Sequence, residues 1–432
     1  MIKILLEAPI LTQSGYGEHA RLVYQSLSLR EDTDIYISPL VWGSTPWMSH
    51  EQSDMYKSIQ SDIQKMESYI VSSQEQSAQM SFDLQVHVGI PSEFKKKAPY
   101  SVCVTAGIET DRVAAAWLLK THKGIDKLVV PSVHARNGFV DTRYEILEKL
   151  TETKQVLYCN SMVEVVPYPV KNVKTEHLDF STTTDFNFLS IAMLGPRKNI
   201  QNMVKWFCEE FRDDNVGLIL KTSTSSGGPM DKEVTMNALQ TSIPTGPRKC
   251  KIYLVHGNLE ESEVHSLYNR DDVHCYVTST HGEGFGLPIF EAACYGMPVI
   301  ATDWSAHVEF LTAELKEDKK KKMKKAFARV EYDLKPIPPS AVWKDILVEG
   351  SQWAYPKERS FKSQMRKVYK NYGMYKKWAT SLQSKITEEY SEEKIMHKMN
   401  QAILYEGYLD GFAAYRDSNN EEDMKKNWDI EI

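Results

Sequence analysis

The sequence has no long apolar run, and neither sign of charge dominates it. No stretch approaches the ~18 consecutive apolar residues that a membrane-spanning helix needs, so the sequence predicts no transmembrane span. The formal net charge is −6, which excludes a general polycation. Any contact with nucleic acid would therefore need a local basic patch. The chain also opens on a strand-like run at Ile2 rather than on a basic and apolar leader.

Cysteines are few, and their spacing is not that of a metal or redox motif. The six cysteines are scattered without a C-x-x-C pair, and most lie in apolar runs. Such a pattern is typical of reduced, buried thiols, and it favours a cytoplasmic protein. No cluster of His, Cys and Asp has the spacing of metal ligands either, so we expect no required metal.

The length and the order of the predicted elements favour an α/β protein with more than one domain. A chain of 432 residues is long for one hydrophobic core, and two or three domains are expected. Strand-like and helical runs alternate along most of it, which is typical of parallel sheets covered by helices. The pattern is interrupted at about 41–80, where we predict an insertion, and at a lysine-rich insertion, about 314–330.

The first strand is followed by glycines that are typical of a phosphate-binding loop. Gly15 and Gly17 precede a predicted helix over 18–29, and a strand, a glycine loop and a helix can together bind phosphate. The run Gly-Tyr-Gly-Glu-His-Ala also matches the G-x-G-x-x-A pattern of dinucleotide-binding folds. That interpretation requires an acidic residue at the far end of the second strand. Asp32 and Asp34 lie at its start instead, which weakens it.

Charged side chains follow several predicted strands. Arg197 and Lys198 come after a strand-like run and before a helix, where arginine can chelate a diphosphate and lysine adds a point charge. Lys221 ends the next predicted strand, ahead of a Thr/Ser/Gly loop that could reach the same ligand. Glu109 follows a strand of the first half. Ligands of open parallel sheets bind at the carboxyl ends of the strands, so all four residues are candidates for a site.

The most informative stretch carries two carboxylates. Glu283 and Glu291 lie eight positions apart with Gly-Phe-Gly-Leu-Pro between them. The glycines predict a tight loop that a ligand can approach closely, and Pro288 suits the first position of a helix. We therefore expect Glu283 in the loop and Glu291 in the first helical turn. Both could then face one small molecule at a helix N-terminus, which favours phosphate.

These residues resemble a known signature. Glu283 and Glu291, with Ala-Ala-x-x-Gly-x-Pro-Val-Ile-Ala-Thr directly after Glu291, are similar to the E-x7-E motif of the group 1 retaining glycosyltransferases. The resemblance is specific over about 186–312 and looser over 1–40 and 82–170. It implies the GT-B architecture, in which two Rossmann-like domains face a cleft and the C-terminal helices cross back to the first domain.

The resemblance also implies domain limits. These are an acceptor domain at 1–170, a nucleotide-sugar domain at 186–390, a C-terminal helix at 391–416 that packs back on the first domain, and a tail at 417–432.

The resemblance further implies roles for individual residues. Relatives often have a histidine near Glu109 and an arginine a few residues before Lys198. Here the segment around Glu109 lacks that histidine, and Arg197 or Lys221 would replace the arginine. The implied catalytic residues are Glu283, Lys198, Arg197 and Glu109, and the implied donor-binding residues are Gly15, Gly17, Lys221, Gly284, Phe285, Gly286, Leu287 and Glu291.

The implied activity is retaining, metal-independent transfer of a sugar from a nucleotide-diphosphate sugar, with a UDP-sugar favoured. The acceptor would be a glycan or a hydroxylated base in DNA. The lysine-rich run Lys316–Lys325 could contact DNA or another anionic surface, although such runs are usually solvated helix or loop faces. The alternatives are a nucleotide-sugar-binding protein without transferase activity, a glycoside phosphorylase and an NAD-dependent oxidoreductase.

Overall fold

The structure is a computed structural model, and it describes residues 1–43, 45, 47–48, 53–147, 154–176, 178–225, 227–317 and 320–404. The predicted tail at 417–432, and the part of the predicted C-terminal helix beyond residue 404, lie outside the described residues. No helix in these ranges has the length and apolar character that crossing a bilayer would require.

The N-terminal half forms one parallel sheet of six strands, in the order β2-β1-β3-β4-β5-β8, and a small antiparallel pair, β6-β7. Its elements are β1 Ile2–Ala8, α1 Gly15–Leu27, β2 Thr33–Pro39, α2 Asp54–Glu75, β3 Leu84–Val88, β4 Tyr100–Val104, α3 Ala115–His122, β5 Lys127–Val130, α4 Val133–Val140, β6 Tyr144–Leu147, β7 Lys154–Leu157 and β8 Met162–Val165.

The C-terminal half forms a second parallel sheet of six strands, in the order β11-β10-β9-β12-β13-β16, with antiparallel pairs β14-β15 and β17-β18. Its elements are β9 Phe186–Ile191, α5 Ile200–Glu210, β10 Val216–Lys221, α6 Pro229–Gln240, β11 Lys251–Val255, α7 Glu261–Tyr268, β12 Cys275–Val277, α8 Leu287–Cys294, β13 Val299–Thr302, α9 His307–Phe310, β14 Thr312–Glu317, β15 Lys320–Lys325, β16 Ala328–Val330, β17 Tyr332–Pro336, β18 Gln352–Pro356, α10 Glu358–Lys370, α11 Tyr372–Glu389 and α12 Glu392–Ile403.

The two sheets form around central strands that are mostly apolar and buried on both faces. Every residue of β4 and β5 is buried, and β3 is likewise buried throughout. Helices cover both faces of each sheet, which is the arrangement that continuous apolar strands require. The predicted α/β class with two Rossmann-like domains is therefore confirmed.

The end of the described chain returns to the first sheet. Ile395, Met399 and Ile403 of α12 are buried in the same apolar cluster as the strands and helix α1 of the N-terminal half. The side-chain amide of Asn400 also donates a 2.8 Å hydrogen bond to the carbonyl of Ser26 in α1. The helix thus fastens the second half of the chain to the first, as the GT-B resemblance implied.

The first glycines lie in a helix rather than in a loop. We predicted a helix from residue 18, but α1 already begins at Gly15. The Ser14 side chain caps it by accepting a 3.0 Å hydrogen bond from the backbone N–H of Gly17. A Cβ on Gly17 would lie 2.0 Å from the carbonyl oxygen of Thr12, so glycine is required there for packing.

The two predicted insertions also differ from expectation. Residues 54–75 form α2, which connects β2 to β3 and buries Ile59 and Ile63 against the sheet, so this part is a crossover helix. The lysine-rich run forms neither a helix nor a loop but most of the β14-β15 hairpin. Ala313 and Leu315 explain that outcome, because they bury the first strand in the core of the C-terminal half. The residues that directly follow residue 331 also form a strand, β17.

Candidate active site

The loop between β12 and α8 is shaped by its glycines. Gly286 adopts φ +96° and precedes α8, and Pro288 occupies the first turn of that helix. A Cβ on Gly284 would lie 2.3 Å from the carbonyl oxygen of Ala106, and one on Gly282 would lie 2.2 Å from that of Glu109. The loop therefore fits closely against the N-terminal half.

Glu283 lies in this loop, buried between two cations. Only 6% of the surface of this residue is exposed to solvent. Lys198 Nζ lies 2.6 Å from Oε1, and Arg197 Nη1 lies 2.9 Å from Oε2. The backbone N–H of Glu283 donates to Ser305 Oγ at 3.0 Å. Burial alone would raise the pKa of Glu283, but Lys198 and Arg197 outweigh it and hold the pKa well below its usual range. The carboxyl group is therefore ionised.

Arg197 connects the two halves of the chain. Its Nη1 also donates to the carbonyl of Gly282 at 2.7 Å, while Nη2 lies 3.2 Å from Oε1 of Glu109 in the N-terminal half. Burial would lower the pKa of Arg197, but Glu109 and Glu283 raise it above its usual value. For Lys198, burial and the adjacent Arg197 lower the pKa despite the contact with Glu283. The structure thus brings the four predicted catalytic residues into one cluster.

Glu291 lies in a different environment. It is the fifth residue of α8, and so it lies one turn further along the helix than predicted. Its Oε2 accepts a 2.8 Å hydrogen bond from the hydroxyl of Tyr268, and no cation forms an ion pair with it among the described residues. Burial raises the pKa of Glu291 to about 7. The two acids of the motif therefore differ in charge near neutral pH.

Donor groups of the backbone surround the start of α8. The N–H groups of Phe285, Gly286 and Leu287 have no hydrogen-bond acceptor within the described ranges. Gly15 faces them from the other half of the chain, since a Cβ there would lie 3.9 Å from Leu287 Cδ1. Unpaired N–H groups at a helix start attract anions, so this opening suits a phosphate group.

Three of the predicted donor-binding residues have other surroundings. Lys221 donates to the carbonyl of Gly257 at 2.6 Å instead of joining the cluster at Glu283. The ring of Phe285 is packed in the apolar core, and only its backbone borders the opening. Gly17 faces Thr12 within its own half.

Several neighbours of the site had no signal in the sequence. Tyr268 and Ser305 contact the two acids of the motif from about twenty residues away on either side. The Tyr16 hydroxyl is 2.9 Å from Thr105 Oγ1, and the Tyr16 ring packs on Trp42 at 4.3 Å. Nothing in the sequence marked Tyr268, because its contact with Glu291 depends on how the fold packs α7 against α8.

Contacts between the halves close the cleft around this cluster. The Ser132 hydroxyl donates to the carbonyl of Gly284 at 2.7 Å. Glu309 accepts hydrogen bonds from the N–H groups of Val133 and His134, at 2.9 and 2.8 Å. Both contacts join the start of α4 to the C-terminal half. Within the ranges that the structure describes, no group of three His, Cys, Asp or Glu residues could hold a metal ion.

Comparisons with known proteins agree with this architecture. Residues 179–316 match the family described as Glycosyl transferases group 1, so the resemblance predicted from the E-x7-E motif is confirmed. No curated protein sequence matches the chain.

Among solved structures, sucrose-phosphate synthase from Thermosynechococcus elongatus is 13% identical, with a TM-score of 0.58 over 96% of this chain and 100% of that one. HepE from Anabaena, in complex with UDP and glucose, is 10% identical, with a TM-score of 0.53 over 93% of this chain and 99% of that one. A glycosyltransferase from Rickettsia africae is 11% identical, with a TM-score of 0.52 over 97% and 99%. At these identities the likeness shows the fold, which is GT-B.

Proposed function

We propose that the protein is a retaining glycosyltransferase that transfers a sugar from a UDP-sugar to a hydroxyl group. One observation carries this proposal. The buried, ionised Glu283 contacts Lys198 and Arg197 in the C-terminal half, and Arg197 in turn contacts Glu109 across the cleft. A fixed negative charge beside two cations suits a reaction that develops positive charge on a sugar and negative charge on a diphosphate.

The donor diphosphate would lie between the cations and the start of α8. Arg197 and Lys198 keep donors beyond those used for Glu283, because a guanidinium has five N–H groups and an ammonium has three. The N–H groups of Phe285 and Leu287 would add backbone donors. Glu291 would accept the ribose hydroxyls. The UDP and glucose in the structure of HepE support a UDP-sugar for this chain.

The reaction would proceed on one face of the sugar. The acceptor hydroxyl attacks the anomeric carbon from the side on which the diphosphate leaves, and a new C–O bond replaces the bond to the phosphate oxygen. The departing diphosphate takes the proton of the hydroxyl. Glu283 stabilises positive character at the sugar ring, and Lys198 and Arg197 stabilise the charge on the leaving group. No step needs a metal ion, so a chelator should leave the rate unchanged.

The acceptor would bind in the N-terminal domain, at 1–170, opposite a nucleotide-sugar domain at 186–390. We consider a glycan or a hydroxylated base in DNA. The exposed Lys322 of the β14-β15 hairpin is the observation that supports DNA, whereas Lys325 is already paired with Asp303. Replacing Lys319–Lys322 by serine should then weaken retention on DNA and reduce its salt dependence. Retention that is absent, or unaffected by the change, would favour a glycan.

A donor screen tests the proposal. Thermal unfolding is measured with UDP, GDP, ADP and NAD, and hydrolysis of UDP-glucose is followed by proton NMR. We expect stabilisation by UDP and slow release of glucose that is first in the α configuration of the donor. Stabilisation without turnover under any acceptor would favour a binding protein, and stabilisation by NAD alone would favour an oxidoreductase.

The free cysteines further support a reducing, cytoplasmic location.

A further inference from the structure

Tyr268, the last residue of α7, is held rigidly beside Glu291. Its hydroxyl donates a 2.8 Å hydrogen bond to Oε2 of Glu291, and the residue is only 3% exposed. The Tyr268 ring lies nearly parallel to that of Tyr295, with centroids 5.9 Å apart and an interplanar angle of 16°. Tyr295 is in turn held by a 3.0 Å hydrogen bond between its hydroxyl and His265 Nδ1. Because the ring cannot turn away, the hydroxyl has a fixed direction.

This contact leaves one face of the Glu291 carboxylate for a ligand. Only Oε2 has a hydrogen-bond partner among the described residues, and that partner is Tyr268. The half-buried Glu291 follows the backbone N–H groups at the start of α8 by one helical turn. A carboxylate with one oxygen fixed by a protein donor can direct the other oxygen at a hydroxyl of a bound ligand.

We propose that Tyr268 is a positioning residue that holds the Glu291 carboxylate in the orientation and the charged form that accept a ribose hydroxyl of the donor. The inference rests on the proposed function, because it assumes that Glu291 contacts the nucleotide. Tyr268 itself would not touch the substrate.

The charge of Glu291 depends on this hydrogen bond. Burial raises its pKa to about 7, whereas the hydrogen bond from Tyr268 and the charge of Lys171 lower it. Glu18 and Glu261 raise it. Lys171 is occupied by those same two carboxylates, so Tyr268 is the group that stabilises the charged form by direct contact. Titratable and charged groups surround Glu291 on every element packed against it. They are Glu18 of α1, Lys171, then Glu261, His265 and Tyr268 of α7, Tyr276 of β12, Cys294 of α8, Tyr295 after α8 and Lys376 of α11. Lys376 donates a hydrogen bond to Gly296.

Removing the hydroxyl should therefore shift a titration and not merely loosen the packing. A hydrogen bond to a charged group changes an equilibrium about tenfold or more, which corresponds to about one pKa unit. In Tyr268→Phe the pKa of Glu291 would rise from about 7 by that amount. At pH 7 the charged fraction would then fall from about one half to about one tenth, and at pH 9 it would hardly change.

The experiment measures the Kd of UDP by titration calorimetry between pH 6 and pH 9. The variants are Tyr268→Phe, Glu291→Gln, the double variant and, as a matched control, Tyr295→Phe. The phosphates of UDP titrate equally in all of them, so each variant is compared with the wild type at the same pH. We expect Tyr268→Phe to raise Kd about fivefold at pH 7 and not at pH 9. The ratio of the Kd of Tyr295→Phe to that of the wild type should not depend on pH, because the Tyr295 hydroxyl contacts His265 and not Glu291.

The outcomes separate this inference from the proposed function. If the ratio of the Kd of Tyr268→Phe to that of the wild type is the same at every pH, Tyr268 contributes only packing, and the inference is overturned. In that case a Glu291→Gln variant that binds UDP weakly would still support the donor site. If Glu291→Gln binds UDP as tightly as the wild type does, the assignment of Glu291 to the donor fails as well. In the double variant, the further effect of Tyr268→Phe should disappear.

Discussion

The two acids of the E-x7-E motif have opposite electrostatic surroundings. Glu283 is ionised because Lys198 and Arg197 contact both of its oxygens, whereas Glu291 has only a tyrosine hydroxyl as a direct partner. A permanent charge suits stabilisation of a reacting centre, and a group that titrates near neutral pH suits binding that can be modulated. The same residue type therefore serves two purposes within eight positions of the chain.

The role of Glu283 can be tested by removing only its charge. Glu283→Gln keeps the shape of the side chain but leaves the half-buried Lys198 without its ion-pair partner and Arg197 with Glu109 only. We expect kcat for donor hydrolysis to fall about 10²–10³-fold, the usual cost of removing one electrostatic contact to a transition state. Affinity for UDP should change much less. Steady-state rates and calorimetry measure the two effects, and a rate close to that of the wild type would exclude a catalytic role.

His19 should limit the stability of the protein in acid. It is fully buried in α1, and neither ring nitrogen has a partner among the described residues. Burial lowers the pKa of His19 to about 3, below the usual value of 6.5, so the unfolded state binds a proton at a higher pH than the folded state. The contribution of the neutral His19 ring to the stability of the folded state is therefore complete above pH 6.5, and it is lost as the pH falls toward 3. At pH 5 the loss is about 2 kcal/mol.

Urea unfolding at pH 8 and pH 5 checks this expectation. His19→Phe keeps a ring of similar size that cannot bind a proton. Its free energy of unfolding should therefore fall by about 2 kcal/mol less than that of the wild type between pH 8 and pH 5. The exposed His397, replaced by glutamine, is the control and should not alter the difference. Equal losses in the wild type and His19→Phe would contradict the prediction.

At the scale of single residues, the sequence revealed the parts of the site that lie close together in the chain. Glu283 and Glu291 stood out because glycines and a proline separate them, and Arg197 and Lys198 because they follow a strand. Tyr268 did not stand out, since its contact with Glu291 depends on how α7 and α8 pack. The actual partner of Lys221, a backbone carbonyl, is equally invisible without the fold.

At the scale of elements, the glycine loop before α8 is the part that brings the two halves together. Its close approach to Ala106 leaves no room for a side chain at Gly284. In Gly284→Ala the loop and the opposite backbone must separate, and a displacement of about 1 Å can lower a rate by about 10²-fold. We therefore expect a loss of activity of that order with a melting temperature close to that of the wild type.

Gly373→Ala provides the comparison for this substitution. Apart from the neighbouring residues and the backbone of its own helix, no atom lies within 4 Å of a Cβ built at Gly373, so the change should be harmless. Melting curves and rates are measured for both variants. Gly284→Ala with the rate of the wild type would show that close contact between the halves is not needed for the reaction.

Elements were predictable where they bury apolar residues on both faces and not where tertiary packing decides. The central strands of both sheets are mostly apolar in sequence. The lysine-rich strand β15 was not predicted, because lysine is uncommon in strands. It forms beside β14, whose Ala313 and Leu315 are buried, and Lys385 of α11 fixes the start of β14 by donating to Thr312 at 2.8 Å. Neither contact can be deduced from the lysines themselves.

At the scale of the whole molecule, three of the contacts between the two halves of the described chain are central to the account. The first is the cluster of Glu109, Arg197 and Glu283, and the second is the contact of Glu309 with the start of α4. The third is α12, which returns to pack on α1. The GT-B arrangement was predictable because the motif identified the family. The closeness of the two halves was not, since it depends on contacts between residues more than 80 positions apart.

The central claim is that Lys198 and Glu291 bind the same nucleoside diphosphate at the start of α8. Calorimetric titration of UDP into the wild type, Lys198→Met and Glu291→Gln tests it most directly. We predict measurable binding by the wild type and a Kd at least about tenfold higher in each variant, the effect of losing one hydrogen bond to a charged group. Equal affinity in all three proteins, or no binding of UDP by the wild type, would contradict the account.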